Sequence, residues 1–185
     1  MPPKAKYTSG EILNVAFEMT RKHGTEILTA RGLAAELGTS TAPIFSAFTG
    51  IDEIRAKVRK HAWNLYMKYF NEGLNHPIPF KGTGIKFIQF AKDEPELFKM
   101  LFMDNNDDGG INPFMAGGDP TTPAVLDIMD KQYSFSADKA KRIYNHLSVF
   151  CYGLAVLFAQ RRCIYTMQDT DRMLSEVFLA LAKED

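Results

Sequence analysis

The stretch TARGLAAELGTSTAPIFSAF, residues 29–48, decides how the chain is read. Thr29 is an N-cap residue, Leu33, Ala34 and Leu37 lie on one helical face, and Gly38 ends the segment. Ser40 is suited to cap a second short helix, with Pro43 in its first turn, where a missing N–H leaves no intrahelical bond unmade. Ile44, Phe45 and Phe48 follow at i, i+1 and i+4. Two short helices joined at Gly38, Thr39 and Ser40 have the spacing of a helix-turn-helix, whose second helix fits the DNA major groove.

Working outward, Ile12, Leu13, Ala16 and Phe17 recur at helical spacing and the pattern stops at His23 and Gly24, so a preceding helix runs from about Ser9 to His23. Thr49 with Asp52 reads as a capping box opening a long helix through Ile54, Val58, Leu65 and Tyr69. The segment from Asn75 to Gly84, holding Pro77, Pro79, Gly82 and Gly84, reads as a linker. Helical patterns return at residues 85–91, 95–103, 123–133, 137–160 and 167–182, with no alternating strand pattern between them. Residues 104–122, dense in Asn, Asp, Gly and Pro, read as a long loop. The expectation is an all-α fold: a helix-turn-helix domain over residues 1–52 and a helical ligand-binding and dimerisation domain over residues 53–185.

Charge is distributed to match. Residues 1–70 hold 10 basic and 6 acidic side chains and the remainder 12 and 16, so a chain of zero net charge divides into halves of +4 and −4. A basic N-terminal part suits a polyanionic partner. Thr39, Ser40 and Thr41 offer short hydroxyls to phosphates or base edges, Ser46 lies on the same short helix, and Ala42 and Pro43 permit close approach. Arg31 and Lys6, with Lys4, are candidate backbone contacts.

The same residues, continued by Asp52-Glu-Ile, resemble the DNA-binding domain of the tetracycline-repressor family over about the first third of the chain. Gly24, Thr29, Leu33 with Ala34, Gly38-Thr39-Ser40, Phe45 and Phe48 occupy the family's glycine, cap, apolar and aromatic places. The resemblance implies a homodimer on palindromic double-stranded DNA, Thr29 and Phe45 among the contacts, and a C-terminal domain that binds a small-molecule effector. Three places depart from the family: Phe45 lacks the usual tyrosine hydroxyl, Ala47 replaces a frequent His or Tyr, and Ile51 stands where a phosphate-contacting lysine is usual. The departures imply weaker, less salt-sensitive binding unless Lys6, Lys22 or Lys57 compensates. A dimeric sensor or adaptor with weak or lost operator binding is therefore the alternative.

Glu94-Pro-Glu-Leu-Phe-Lys-Met-Leu-Phe-Met and residues 144–155 are similar to a subclass of such C-terminal domains with a Pro-x-Leu segment and a later His-Gly pair, of which Gly153 is kept and Tyr152 replaces the histidine. Candidate lining for an apolar effector is aromatic and Met-rich: Phe87, Phe90, Phe98, Phe102, Phe114, Met115, Tyr133, Phe150 and Tyr152, with Asn145 and His146 as further polar groups. The resemblance implies dimerisation through the last two long helices. In the second of these, Met173, Leu174, Val177, Phe178 and Leu181 form a stripe suited to a two-fold helix pair, or to packing within the chain.

Other classes find little support. His23, His61, His76 and His146 have no companions that would make a catalytic set, and no phosphate loop appears, so no enzyme and no cofactor is expected. Asp104, Asn106, Asp108, Gly109 and Ile111 fit positions of a calcium loop, but Met115 stands where the bidentate glutamate belongs, so no metal is expected. Cys151 and Cys163 read as reduced, structural thiols. Residues 1–7 carry no apolar signal segment and the longest apolar run, residues 147–159, is too short to span a bilayer. A cytoplasmic protein without membrane contact is expected.

Overall fold

The computed structural model describes residues 7–104 and 121–183, and among these all regular structure is helical. The helices are α1 (Ser9–His23), α2 (Ala30–Glu36), α3 (Ala42–Ala47), α4 (Ile51–Leu74), α5 (Pro79–Asp93), α6 (Pro95–Phe102), α7 (Thr122–Tyr133), α8 (Ala137–Ala159) and α9 (Met167–Lys183). The all-α expectation holds.

Local chemistry sets the ends of the first helices. Thr8 and Glu11 form a reciprocal capping box on α1, with the Glu11 carboxylate accepting from the Thr8 N–H at 2.7 Å and the Thr8 hydroxyl accepting from the Glu11 N–H at 3.2 Å. Thr29 caps α2 by accepting from the Gly32 N–H at 3.0 Å. Gly38 turns the chain after α2 with φ 62°, a left-handed conformation that glycine adopts without steric cost. Two capping expectations are corrected. Ser40 lies outside α3, which begins after Thr41 without a side-chain cap. Thr49 pairs with Glu53, one residue further than Asp52, its N–H and hydroxyl both donating to that carboxylate at 2.8 and 3.0 Å.

The α1–α3 unit buries Ile12, Ala16, Leu33, Ile44 and Phe48 against Ile54 and Val58 of α4. That helix continues without interruption from the expected boundary at residue 52 to Leu74, and packs on α1 at one end and α5 at the other. Tyr66, at its middle, sits within 5.1–6.5 Å, ring centre to ring centre, of Phe70, Phe87, Phe90, Phe102 and Trp63. Arg59 of α4 donates to the carbonyls of Met100 and Leu101 at 2.7 and 3.2 Å, satisfying acceptors that the end of α6 leaves without intrahelical partners.

The linker expected over residues 75–84 shrinks to residues 75–78, because α5 starts at Pro79 and runs through both glycines. Gly82 is there for closeness: a Cβ on it would stand 2.2 Å from the Gly73 carbonyl oxygen and 2.3 Å from His76 Cβ. At Gly73 a Cβ would meet Thr83 Cα at 2.7 Å. The backbones of α4 and α5 therefore touch, and no side chain fits between them. Gly82→Ala is expected to destabilise the protein by ~3 kcal/mol in urea denaturation through overpacking. Gly10→Ala, in open space on α1, is expected to be neutral or stabilising by up to ~1 kcal/mol in the same measurement.

Candidate functional site

The exposed face of the α2–turn–α3 unit is polar and shallow. Ile44 is fully buried and Phe48 nearly so, which points Ala42, Phe45 and Ser46 outward on the opposite face of α3, with Phe45 55% exposed. Ser40, Thr29 and Arg31 are exposed, and Thr39, Thr41 and Pro43 half-buried. Thr29 spends its hydroxyl oxygen on the α2 cap and Ser46 donates to the Ala42 carbonyl at 3.0 Å. No residue within hydrogen-bonding or ion-pair reach of the Arg31 guanidinium is found among the described residues, so it is held for no internal purpose. Tyr7 donates to the Leu37 carbonyl at 2.5 Å, tying the root of the N-terminal arm beside the turn. Lys4 and Lys6 lie outside the described residues. Of the other compensating lysines, Lys57 is paired with Glu53 at 3.6 Å, whereas Lys22 is exposed.

A forked ion pair joins α1 to the C-terminal helices. Arg21, in the last turn of α1, donates through Nε and a terminal nitrogen to both carboxylate oxygens of Glu94, at 2.7 and 2.5 Å. Glu94 is the residue at which α5 ends and α6 begins, and its side chain is only 7% exposed. The carboxylate raises the pKa of Arg21 above its already high ordinary value, chiefly through these hydrogen bonds. In the sequence Glu94 stands out only as the start of the Pro-x-Leu segment, because its partner is 73 positions away.

Inside the C-terminal helices lies a small cavity of about 40 Å³, between α4, α5, α7, α8 and α9. Of the expected lining only Phe87 borders it. The other expected residues stand elsewhere or lie outside the described residues. Phe90, Phe98 and Phe102 are buried in the aromatic cluster around Tyr66 and do not reach the cavity. Tyr133 is half-buried against Phe135 and Phe178, Phe150 is half-buried, and the Tyr152 hydroxyl donates to the Phe102 carbonyl at 3.0 Å. Asn145 and His146 face solvent, one step round the helix from the inward residues. Phe114 and Met115 lie outside the described residues, as does the calcium-like loop beyond Asp104.

The wall is made instead by Tyr66 and Phe70 of α4, Phe80 and Thr83 of α5, and Tyr144, Ser148 and Cys151 of α8. The legible signal was the spacing of Tyr144, Leu147, Ser148 and Cys151, which sets two hydroxyls and a thiol on the inward face of an apolar helix. Burial pushes the Cys151 thiol up to about 12, so it stays protonated.

The stripe expected at a dimer interface or in packing within the chain packs largely within the chain. Leu174 is buried and lines the cavity, and Phe178 packs on Phe80 and Tyr133 at 5.6 and 5.0 Å. Met173, Val177 and Leu181 are half-buried, the last two packed on the core, because the apolar stripe of α9 is the face that closes its own domain. The outward apolar residues are Val149 and Leu157 on α8 and Leu179 on α9, 57%, 39% and 55% exposed.

Among the described residues no group of three His, Cys, Asp or Glu side chains is arranged to hold a metal, and no helix is long and apolar enough to cross a membrane. No protein-family model matches the chain, and no curated protein matches it at a significant level.

Arg21→Ala would leave Glu94 shielded without its cation, and a loss of ~2 kcal/mol in urea denaturation is expected. Adding Glu94→Leu removes the stranded charge, and the double variant is expected to recover part of that loss.

Proposed function

We propose that the protein is a ligand-responsive transcription regulator of the tetracycline-repressor type, a repressor that binds palindromic operator DNA as a homodimer in the cytoplasm and is released by a small apolar effector. The observation that carries the reading is the two-sidedness of α3: Ile44 and Phe48 anchor it while Ala42, Phe45 and Ser46 face outward beside the unpaired Arg31. A short helix whose outer residues are small or slender lets its backbone come close to base edges, and one exposed ring gives it a flat apolar contact. Arg31 supplies charge to the phosphates.

A repressor reading also needs a second copy, since half-sites about 34 Å apart require two heads at fixed spacing. Val149, Leu157 and Leu179, on two helices that pack on each other, supply exposed apolar surface for a pairing of α8 and α9 with their twins. Effector control follows from the size of the cavity. At about 40 Å³ it is smaller than the roughly 150 Å³ apolar void that admits benzene, so a bound effector must part its helices. A ligand that fits only the parted form shifts the population toward it. α5, with Phe87 in the wall, ends at Glu94, which Arg21 grips, so parting is transmitted to α1 and the head.

Binding to the DNA flanking its own gene, titrated against salt, tests the reading. Arg31→Ala is expected to weaken binding and lower the slope of log K against log salt by about 1. Phe45→Tyr, which restores a phosphate-bonding hydroxyl, is expected to strengthen it. Salt-independent binding, or none, would instead favour a sensor without operator affinity. In sedimentation, Val149→Glu with Leu179→Glu is expected to turn a dimer into a folded monomer, because like charges would face each other across the two-fold axis.

A further inference from the structure

The cavity's wall specifies the chemistry of what fills it. None of its lining residues carries a formal charge. An ion moved there would lose its hydration without a counter-charge, a penalty large enough to exclude carboxylates and ammonium groups. Aromatic faces dominate: Tyr66, Phe70, Phe80 and Phe87 stand on α4 and α5. Opposite them, α8 brings Tyr144, Ser148 and Cys151, at i, i+4 and i+7, to the same side.

The polar groups differ in what they have left to give. The Thr83 hydroxyl donates to the Phe80 carbonyl at 2.9 Å, and Tyr144 and Thr122 share a hydrogen bond of 2.8 Å. Ser148 is 6% exposed, yet its hydroxyl has no hydrogen-bond partner among the described residues. Among those residues no buried side-chain oxygen or nitrogen is sealed away without a partner, so this hydroxyl has open space before it, and the space it borders is the cavity. A serine on the inward face of a helix ordinarily bonds its own backbone or a neighbour. Here it is left as one donor and one acceptor in an aromatic box.

We propose that the cavity takes a small, neutral, single-ring molecule carrying one hydroxyl or carbonyl group, with the ring among Phe80, Phe87 and Tyr66 and the polar group on the Ser148 hydroxyl. Because the resting volume is below that of one ring, a single ring is the ligand that parts the helices least, and the lack of charge on the wall keeps it neutral. Cys151, one turn from Ser148, gives a soft contact and no nucleophile, because its thiol remains protonated. This rests on reading the cavity as the effector site and adds to it the class of effector and the residue that selects it.

The test uses three probes of matched shape on the full chain, p-cresol, p-xylene and p-toluate, titrated by calorimetry and by the shift in melting temperature. p-Cresol is expected to bind at least about fivefold more tightly than p-xylene, as one hydrogen bond to an otherwise unpartnered group would give, and p-toluate not to bind. Ser148→Ala is expected to erase the preference for p-cresol by weakening it about fivefold while leaving p-xylene unchanged. Leu174→Trp, which fills the cavity, is expected to abolish binding of both. Equal binding of p-toluate, no binding of p-cresol, or a Ser148→Ala variant that keeps its preference would each overturn the proposal. Loss of p-cresol selectivity with salt-dependent DNA binding intact would sink this inference alone, whereas selective p-cresol binding by a chain that ignores DNA would uphold it and sink the regulator reading.

Discussion

The backbone contact between α4 and α5 at Gly73 and Gly82 is the constraint on which the other arrangements depend. No Cβ separates the two helices there, and one added at either glycine would stand within 2.8 Å of the other helix's backbone. The rings further along, Tyr66 against Phe87 and Phe90, are then brought within 6.1 and 5.5 Å. That crossing fixes the position of α5, and α5 in turn places Phe87 on the cavity wall and Glu94 within reach of Arg21. Helix packing distance is set by the side chains at the contact point, so two glycines at one crossing decide the geometry of many larger residues around it.

α4 belongs to two bodies at once. Its first turns complete the core under the helix-turn-helix, and its later turns carry the aromatic cluster of the larger part. Arg55 reinforces the first role by donating to the Leu28 carbonyl at 3.1 Å, and Arg59 the second by holding the end of α6. A helix shared in this way and the Arg21–Glu94 pair both join the first three helices to the part of the chain that holds the cavity. They differ in kind, one being continuous backbone and the other a pair of side chains.

Much of this was legible in residues 1–74, where local rules are strong. Caps at Thr29, glycines at Gly24 and Gly38, and the inward spacing of Ile12, Ala16, Leu33 and Ile44 act within one or two turns, so the helices and their core face follow directly. The C-terminal part was less legible because its decisive features are non-local. Gly82 and Gly84 resemble loop residues until the helix they touch is known. Which aromatics line a cavity depends on where five helices meet, and in an apolar, aromatic-rich segment every candidate satisfies the same composition rule. Asn145 and His146 were misplaced by a single step on a helix whose neighbouring positions, Tyr144 and Ser148, face the cavity. The stripe on α9 had the right periodicity, and much of it is covered within the chain, since amphipathicity tells which face is covered and not by what.

The Arg21–Glu94 pair also limits how the molecule could be recombined. A foreign three-helix unit spliced in ahead of α4 would arrive with its own residue at the end of the first helix. Unless that residue is a long cation able to fork onto a shielded carboxylate, the chimera would carry a stranded negative charge at the joint between α5 and α6. The first three helices and the rest of the chain are thus a matched pair, and exchanging either is restricted by one ionic complement at their joint.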